Sequence, residues 1–109
     1  MQEFGWSQRE KKAARNAFDR ALRSEIGAIR REIETMLARS QNPFEIWRVH
    51  DYLSEKRREI DEKYDYRYSV LISVLGCLVS EGWLTEADLG GLHAEKLEAI
   101  RRVVSSLRG

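Results

Sequence analysis

The stretch IWRVHDYLSEKRREIDEKYDYRYS, residues 46–69, decides the fold. It holds no Gly and no Pro, so it predicts a helix. At about 100° per residue, Ile46, Val49, Leu53, Ile60 and Tyr64 fall on one side, and Leu71, Leu75 and Leu78 continue that side. Trp47 points about 100° away from the centre of this seam. His50, Asp51, Ser54, Arg58 and Asp61 share Trp47's side, and Arg57 sits at the seam's margin. The spacings Arg57 to Asp61, Arg58 to Glu62 and Glu59 to Lys63 suit ion pairs one turn apart, each worth ~0.2–0.5 kcal/mol. No stop signal comes before Gly76 or Gly82. The expectation is one helix, or two nearly collinear ones, from 43 to about 80.

Upstream, SQNP (Ser40 to Pro43) breaks the pattern. Asn42 suits an N-cap, Pro43 the first helical position and Glu45 the third. Before the break, SQRE (Ser7 to Glu10) reads as a capping box. Phe18, Leu22, Ile26, Ile29, Ile33 and Met36 then recur at steps of three and four, one face of a helix over 8–39 despite Gly27. Downstream, Gly82 suits a left-handed stop. Thr85 and Asp88 form a second capping box with Leu84 and Leu89 as its hydrophobic staple. Gly90-Gly91 ends that piece, and a last helix carries Leu92, Leu97, Ile100, Val104 and Leu107. No strand pattern and no repeat is visible. These elements predict a single all-α domain over 1–109, elongated, with two long helices and short C-terminal ones. Helices this long leave apolar surface that the short ones cannot cover, which predicts a homodimer. Ile46, Val49, Leu53 and Ile60 are the expected dimer seam.

The chain has 109 residues, 42% hydrophobic and 34% charged, ample for a packed core. Its 19 basic and 18 acidic residues are interleaved and sum to +1. That balance argues against nucleic acid, whose binders show a basic face. The single cysteine, Cys77, permits no internal disulfide and suits a reducing compartment. MQEFGWSQRE shows no apolar signal-peptide region. The run VLISVLGCLV (Val70 to Val79) is shorter than the ~20 residues that span a bilayer. A cytoplasmic protein without a membrane segment is the expectation.

His50-Asp51 invites a catalytic role. Neighbours on a helix diverge by about 100°, so they are not expected to form the orienting pair of a triad. A polar surface cluster explains them more simply, and no catalytic residue is assigned. His50, His93 and scattered carboxylates fall short of a metal site, and no motif implies a cofactor. Cys77, inside the apolar run, suits a small buried hydrophobe better than a nucleophile. DYRY (Asp65 to Tyr68) offers rings and one cation, but its tyrosines suit sealing a bundle better than stacking bases. Trp47 is different. A large ring on a charged face either packs on another helix or a dimer mate, or waits for a partner. Trp and Arg are also types enriched at interface hot spots.

The segment WRVHDYLSEKRREIDEKYDYRYS resembles the most characteristic block of the cyanobacterial fluorescence recovery protein family. GWSQREKKAARNAFDRAL, SEGWLTEADL and LHAEKLEAI are similar to that family too, so the resemblance spans about 5 to 104. Leu22, Pro43, Ser73 and Leu75 depart from the family's habit. The resemblance implies an all-helical homodimer that binds the orange carotenoid protein, chiefly its C-terminal domain in the photoactivated red form. It implies faster return to the orange form and restored phycobilisome fluorescence, with no covalent chemistry. In a cyanobacterial host the site of action would be the cytosolic face of the thylakoid. Carried over position by position, the partner-binding residues are Trp47, His50, Asp51 and Arg57. The alternative implied is a family-like helical dimer serving another signalling or stress-response protein in a host without the carotenoid protein.

Overall fold

In the computed structural model, which describes residues 5–109, helix α1 spans Gln8–Arg39. Residues 1–4, part of the N-terminal stretch searched for a targeting signal, lie outside the described residues. The first capping box forms as expected: Ser7 Oγ accepts the Glu10 amide at 3.1 Å, and Glu10 Oε1 accepts the Ser7 amide at 3.1 Å. At the far end the chain turns through Ser40–Asn42 into a 3-10 turn, Pro43–Glu45. Asn42 Oδ1 caps it by accepting the Phe44 amide at 2.9 Å, and Glu45 reaches back to the Gln41 amide at 3.0 Å. Helix α2, Ile46–Lys63, then returns antiparallel along α1.

The expected continuation to residue 80 does not occur. Helix α2 stops at Lys63, residues 64–70 form an extended segment and turn, and helix α3 begins only at Leu71, ending at Ser80. Nor are α2 and α3 collinear. The extended segment runs back along α1, from Tyr64, bonded to Glu25, to Tyr66, bonded to the Lys11 carbonyl. Helix α3 then reverses, so that Glu81 just beyond it meets Lys63 at the end of α2. The physical cause lies in Tyr64, Tyr66 and Tyr68. Spaced two apart, they share one side of an extended chain, not of a helix. All three rings pack over α1 and its N-terminal flank. Tyr64 and Tyr66 meet Phe18 edge-on at 5.3 and 4.9 Å, and Tyr68 lies 5.5 Å from Trp6. That aromatic burial outweighs the weak ion-pair spacings that favoured a continuous helix. Lys63 accordingly leaves Glu59 and binds Glu25 and Glu81, while Glu59 pairs with Lys56.

After α3, Gly82 takes a φ of 86°, the left-handed stop expected there. The second capping box holds a 3-10 turn, Glu86–Leu89, in which the Asp88 carboxylate accepts both the Thr85 amide and hydroxyl. Leu84 and Leu89, the expected staple, are both buried. Helix α4 covers Ala94–Arg108. It crosses α3 closely at Gly76, where an added Cβ would lie 2.5 Å from a Val103 methyl.

The molecule is elongated, 53 × 27 × 21 Å, with its packing concentrated at one end. The head comprises the N-terminal half of α1, the tyrosine segment, α3, the second 3-10 turn and α4. Its core joins Ala14, Ala17, Phe18 and Ala21 of α1 to Leu71, Val74, Leu75 and Leu78 of α3, with Leu84, Leu89, Leu92 and Ile100. Leu71, Leu75 and Leu78 therefore belong to the head and do not prolong the seam of α2. The alanines let the other helices approach α1. The other region is a bare hairpin of α1's C-terminal half and α2, whose 18 residues bury only Val49.

Two polar clusters pin these parts. In the head, Glu10 and Lys96 are both buried and paired at 3.0 Å. Glu10 also accepts the His93 amide at 3.0 Å. Burial works against the Glu10 charge, but the His93 and Ser7 amides and the Lys96 ammonium outweigh it and hold the carboxyl down at about 2. At the junction with the hairpin, Lys63 Nζ lies 2.7 Å from both Glu25 and Glu81. The Tyr64 hydroxyl donates to Glu25 at 2.8 Å, and the Trp83 indole and Cys77 thiol donate to Glu81. Burial opposes the Lys63 charge, yet the two carboxylates keep its ammonium above the ordinary range; burial and Glu25 together push the Tyr64 phenol up.

Candidate protein-recognition surface

Helix α2 has three sides. Val49, Tyr52, Lys56 and Lys63 turn toward α1; Val49 is the buried one. Ile46 and Leu53 form a flank open to solvent, 48% and 44% exposed, and Ile60 is half-buried beside it. With the exposed Ile26 and Leu37 of α1 they leave an apolar strip on the hairpin. Of the four expected seam residues, Val49 is thus already covered within one chain, while Ile46 and Leu53 remain bare.

The third side is an outer crest. Trp47 is 63% exposed there. Its ring meets the His50 imidazole edge-on, with centroids 6.2 Å apart. His50 Nδ1 in turn lies 3.3 Å from Asp51 Oδ1. This overturns the expectation that the two side chains diverge: although their Cα–Cβ bonds do, both side chains lean along the surface and meet. The contact does not make a catalytic dyad. Both groups are largely exposed, and the Ser54 hydroxyl, one turn on, is not bonded to the imidazole. Arg57 stands about 15 Å along the helix axis from Trp47 and about 9 Å from Asp51. Its Nε donates to both Asp61 oxygens, at 3.2 and 3.1 Å, the pair read from the spacing. Trp47, His50 and Asp51 therefore form one cluster, and Arg57 a second point near the flank.

The other candidates fall elsewhere. Cys77 is half-buried at the junction, its thiol pushed up by burial and by Glu81. Tyr66 and Tyr68 are engaged with Phe18, Trp6 and each other. Leu75, one of the family departures, is fully buried, whereas Ser73 is exposed on α3. Among the described residues no three His, Cys, Asp or Glu side chains gather as metal ligands, and no helix is long and apolar enough to cross a membrane. The grooves among the described residues include open ones on the hairpin and at the junction. One, of about 300 Å³, lies between Glu25, Ile29, Tyr52 and Trp83 at the junction.

One residue on this surface escaped the periodicity. Phe44, in the 3-10 turn, is 75% exposed, more than any other large apolar side chain described. The only signal for it in the sequence is a bare aromatic directly after the capping Asn42-Pro43 pair.

An elongated helical hairpin that leaves Phe44 and Trp47 bare on its surface has the form of a helical protein-binding module. The chain belongs to the photoprotection regulator fluorescence recovery protein family, whose model matches residues 6–104. It is 35% identical over 99 residues to the fluorescence recovery protein of Synechocystis sp. (strain ATCC 27184 / PCC 6803 / Kazusa), covering 91% of each chain. Its fold matches the solved fluorescence recovery protein of Fremyella diplosiphon with a TM-score of 0.86 and 40% identity, covering 93% of this chain and 99% of that one. The solved Synechocystis protein gives the same TM-score and coverage at 34% identity. Membership places the chain in photoprotection, in the recovery of fluorescence.

Proposed function

We propose that this protein binds the photoactivated red form of the orange carotenoid protein through that partner's C-terminal domain, and speeds its return to the orange form. The observation that carries this is the bare Trp47 ring on the α2 crest, flanked by His50 and Asp51, with Arg57 further along. Trp47 supplies apolar area that a partner can cover. Asp51 and Arg57 exchange their exposed local partners, His50 and Asp61, for groups on the client. Such exposed pairs contribute little to stability, so the exchange is cheap. The protein makes and breaks no covalent bond. It accelerates relaxation by binding the passage between red and orange forms more tightly than the red form itself. It acts as a homodimer, because Ile26, Leu37, Ile46 and Leu53 leave apolar surface on the hairpin that its own chain does not cover.

The test is the dark recovery of illuminated orange carotenoid protein, followed by absorbance. Catalytic amounts of this protein should accelerate it, and Trp47→Ala or Arg57→Leu should weaken the acceleration. A protein that neither binds the red form nor changes the recovery rate removes the carotenoid protein as client. Ile46→Glu should yield monomers in sedimentation; an intact dimer would move the interface off this flank.

A further inference from the structure

We propose that Phe44 is a second aromatic anchor for the client, forming with Trp47 a two-ring edge that the client covers; this rests on the client assignment made above. Phe44 is displayed rather than loosely exposed. Asn42 Oδ1 holds its amide at 2.9 Å. The Ser40 hydroxyl donates to the Asn42 carbonyl at 3.1 Å, Glu45 closes the loop on the Gln41 amide at 3.0 Å, and the Pro43 ring fixes the preceding φ. A turn locked at four successive points loses little further freedom when its tip is covered, so burying the ring yields more net affinity than a mobile loop would.

Position assigns the ring to the client and not to a second copy. Phe44 lies in the 3-10 turn that leads directly into α2, three residues before Trp47, so the two exposed rings stand close together at the start of the crest. The groove on the flank, lined by Leu37, Ser40, Pro43 and Ile46, leaves Phe44 out. The apolar surface of the hairpin therefore divides into a flank strip that suits self-association and a crest edge that does not overlap it. Beside the two rings stand Arg48 and Asp51, both exposed. The fitting client surface is an apolar hollow rimmed by charges of both signs, with room for both rings.

The experiment measures binding of illuminated orange carotenoid protein to the wild type, Phe44→Ala and Phe44→Tyr, with dissociation rates and sedimentation of each. Phe44→Ala should bind at least about tenfold more weakly, mainly through faster dissociation, with its oligomeric state unchanged. Phe44→Tyr, which keeps the ring, should stay within about threefold of the wild type. A wild type that binds while Phe44→Ala binds equally well overturns the anchor and leaves the client standing. Weakened binding accompanied by loss of the dimer assigns Phe44 to self-association and also overturns it. A wild type that does not bind overturns both the client and its anchor.

Discussion

The head and the hairpin are built from the same α1 helix, yet they use it in opposite ways. In the head, α1 presents Ala14, Ala17, Phe18 and Ala21, all buried under α3, the second 3-10 turn and α4. In the hairpin, the same helix presents Ile26, Ile29, Ile33 and Leu37 to a single neighbour, and Ile26 and Leu37 stay exposed. The head is closed on itself, with its charged groups Glu10 and Lys96 paired inside. The hairpin leaves its larger side chains uncovered. Side-chain size alone would suggest the reverse. Along α1, the alanines mark where other helices come close, and the isoleucines and Leu37 lie where only one helix covers them.

The largest effect should come from breaking the head's buried charge pair. Lys96→Ala leaves the Glu10 carboxylate buried without its cation, which costs about 3–5 kcal/mol, read by chemical denaturation at neutral pH. Acid attacks the same group from the other side. Because the folded Glu10 carboxyl is held at about 2, below its ordinary value of 4.5, its contribution is complete above 4.5 and is lost as pH falls from there toward 2. Thermal melts across that range should show stability falling, and Glu10→Gln should flatten the fall. A Lys96→Ala protein as stable as the wild type would mean that the head does not depend on the pair.

Next comes a matched truncation of one leucine in each region. Leu75→Ala empties a fully buried site and should cost about 2–5 kcal/mol. Leu53→Ala, on the open flank, should change the stability of an isolated chain by less than about 0.5 kcal/mol and should instead shift the monomer–dimer balance in sedimentation. If the two cost the same at a dilution where the chain is monomeric, the hairpin is as closed as the head, and the division drawn here fails.

Gly82→Ala tests a stop inside the head and should cost about 1–2 kcal/mol, since a φ of 86° strains any residue with a Cβ. The loss should fall on the head alone, because Gly82 follows α3. Hydrogen exchange should then rise in α3 and α4 and stay level in α2.

The sequence was legible where local chemistry settles the outcome. Ser7 and Glu10 mark the start of α1, Asn42 and Pro43 the hairpin turn, and Gly82 the stop after α3, because each acts on backbone groups within a few residues. It was illegible where distant partners decide. Glu10 reads as half of a capping box, and nothing near it announces Lys96, 86 positions away. The break after Lys63 was visible only as a tyrosine at every second position. That signal competes with helical ion-pair spacings until Phe18 is known to lie beneath the rings. On the recognition surface, helical phase sufficed to set Trp47 on its own side of α2. It separated His50 from Asp51 wrongly, because phase describes Cα–Cβ directions and not where a side chain leans. Phe44 lies in the 3-10 turn before α2, outside the apolar periodicity of either long helix, so the pattern of the seam does not single it out.

The smallest effect on stability should be that of Trp47→Ala. With 63% of its surface in water, the ring contributes little to the fold, so the change should stay within about 0.5 kcal/mol. Large aromatics usually rank among the costliest residues to truncate, so a near-silent melt together with lost acceleration of carotenoid-protein recovery would be informative. It would show that the crest is held by α2's backbone and the Val49 contact beneath, and that the ring serves only the partner. A melt lowered as far as that of Leu75→Ala would instead mean that Trp47 is covered in the working protein without any client, most simply by its dimer mate. The recognition surface would then have to begin further along α2, toward Arg57.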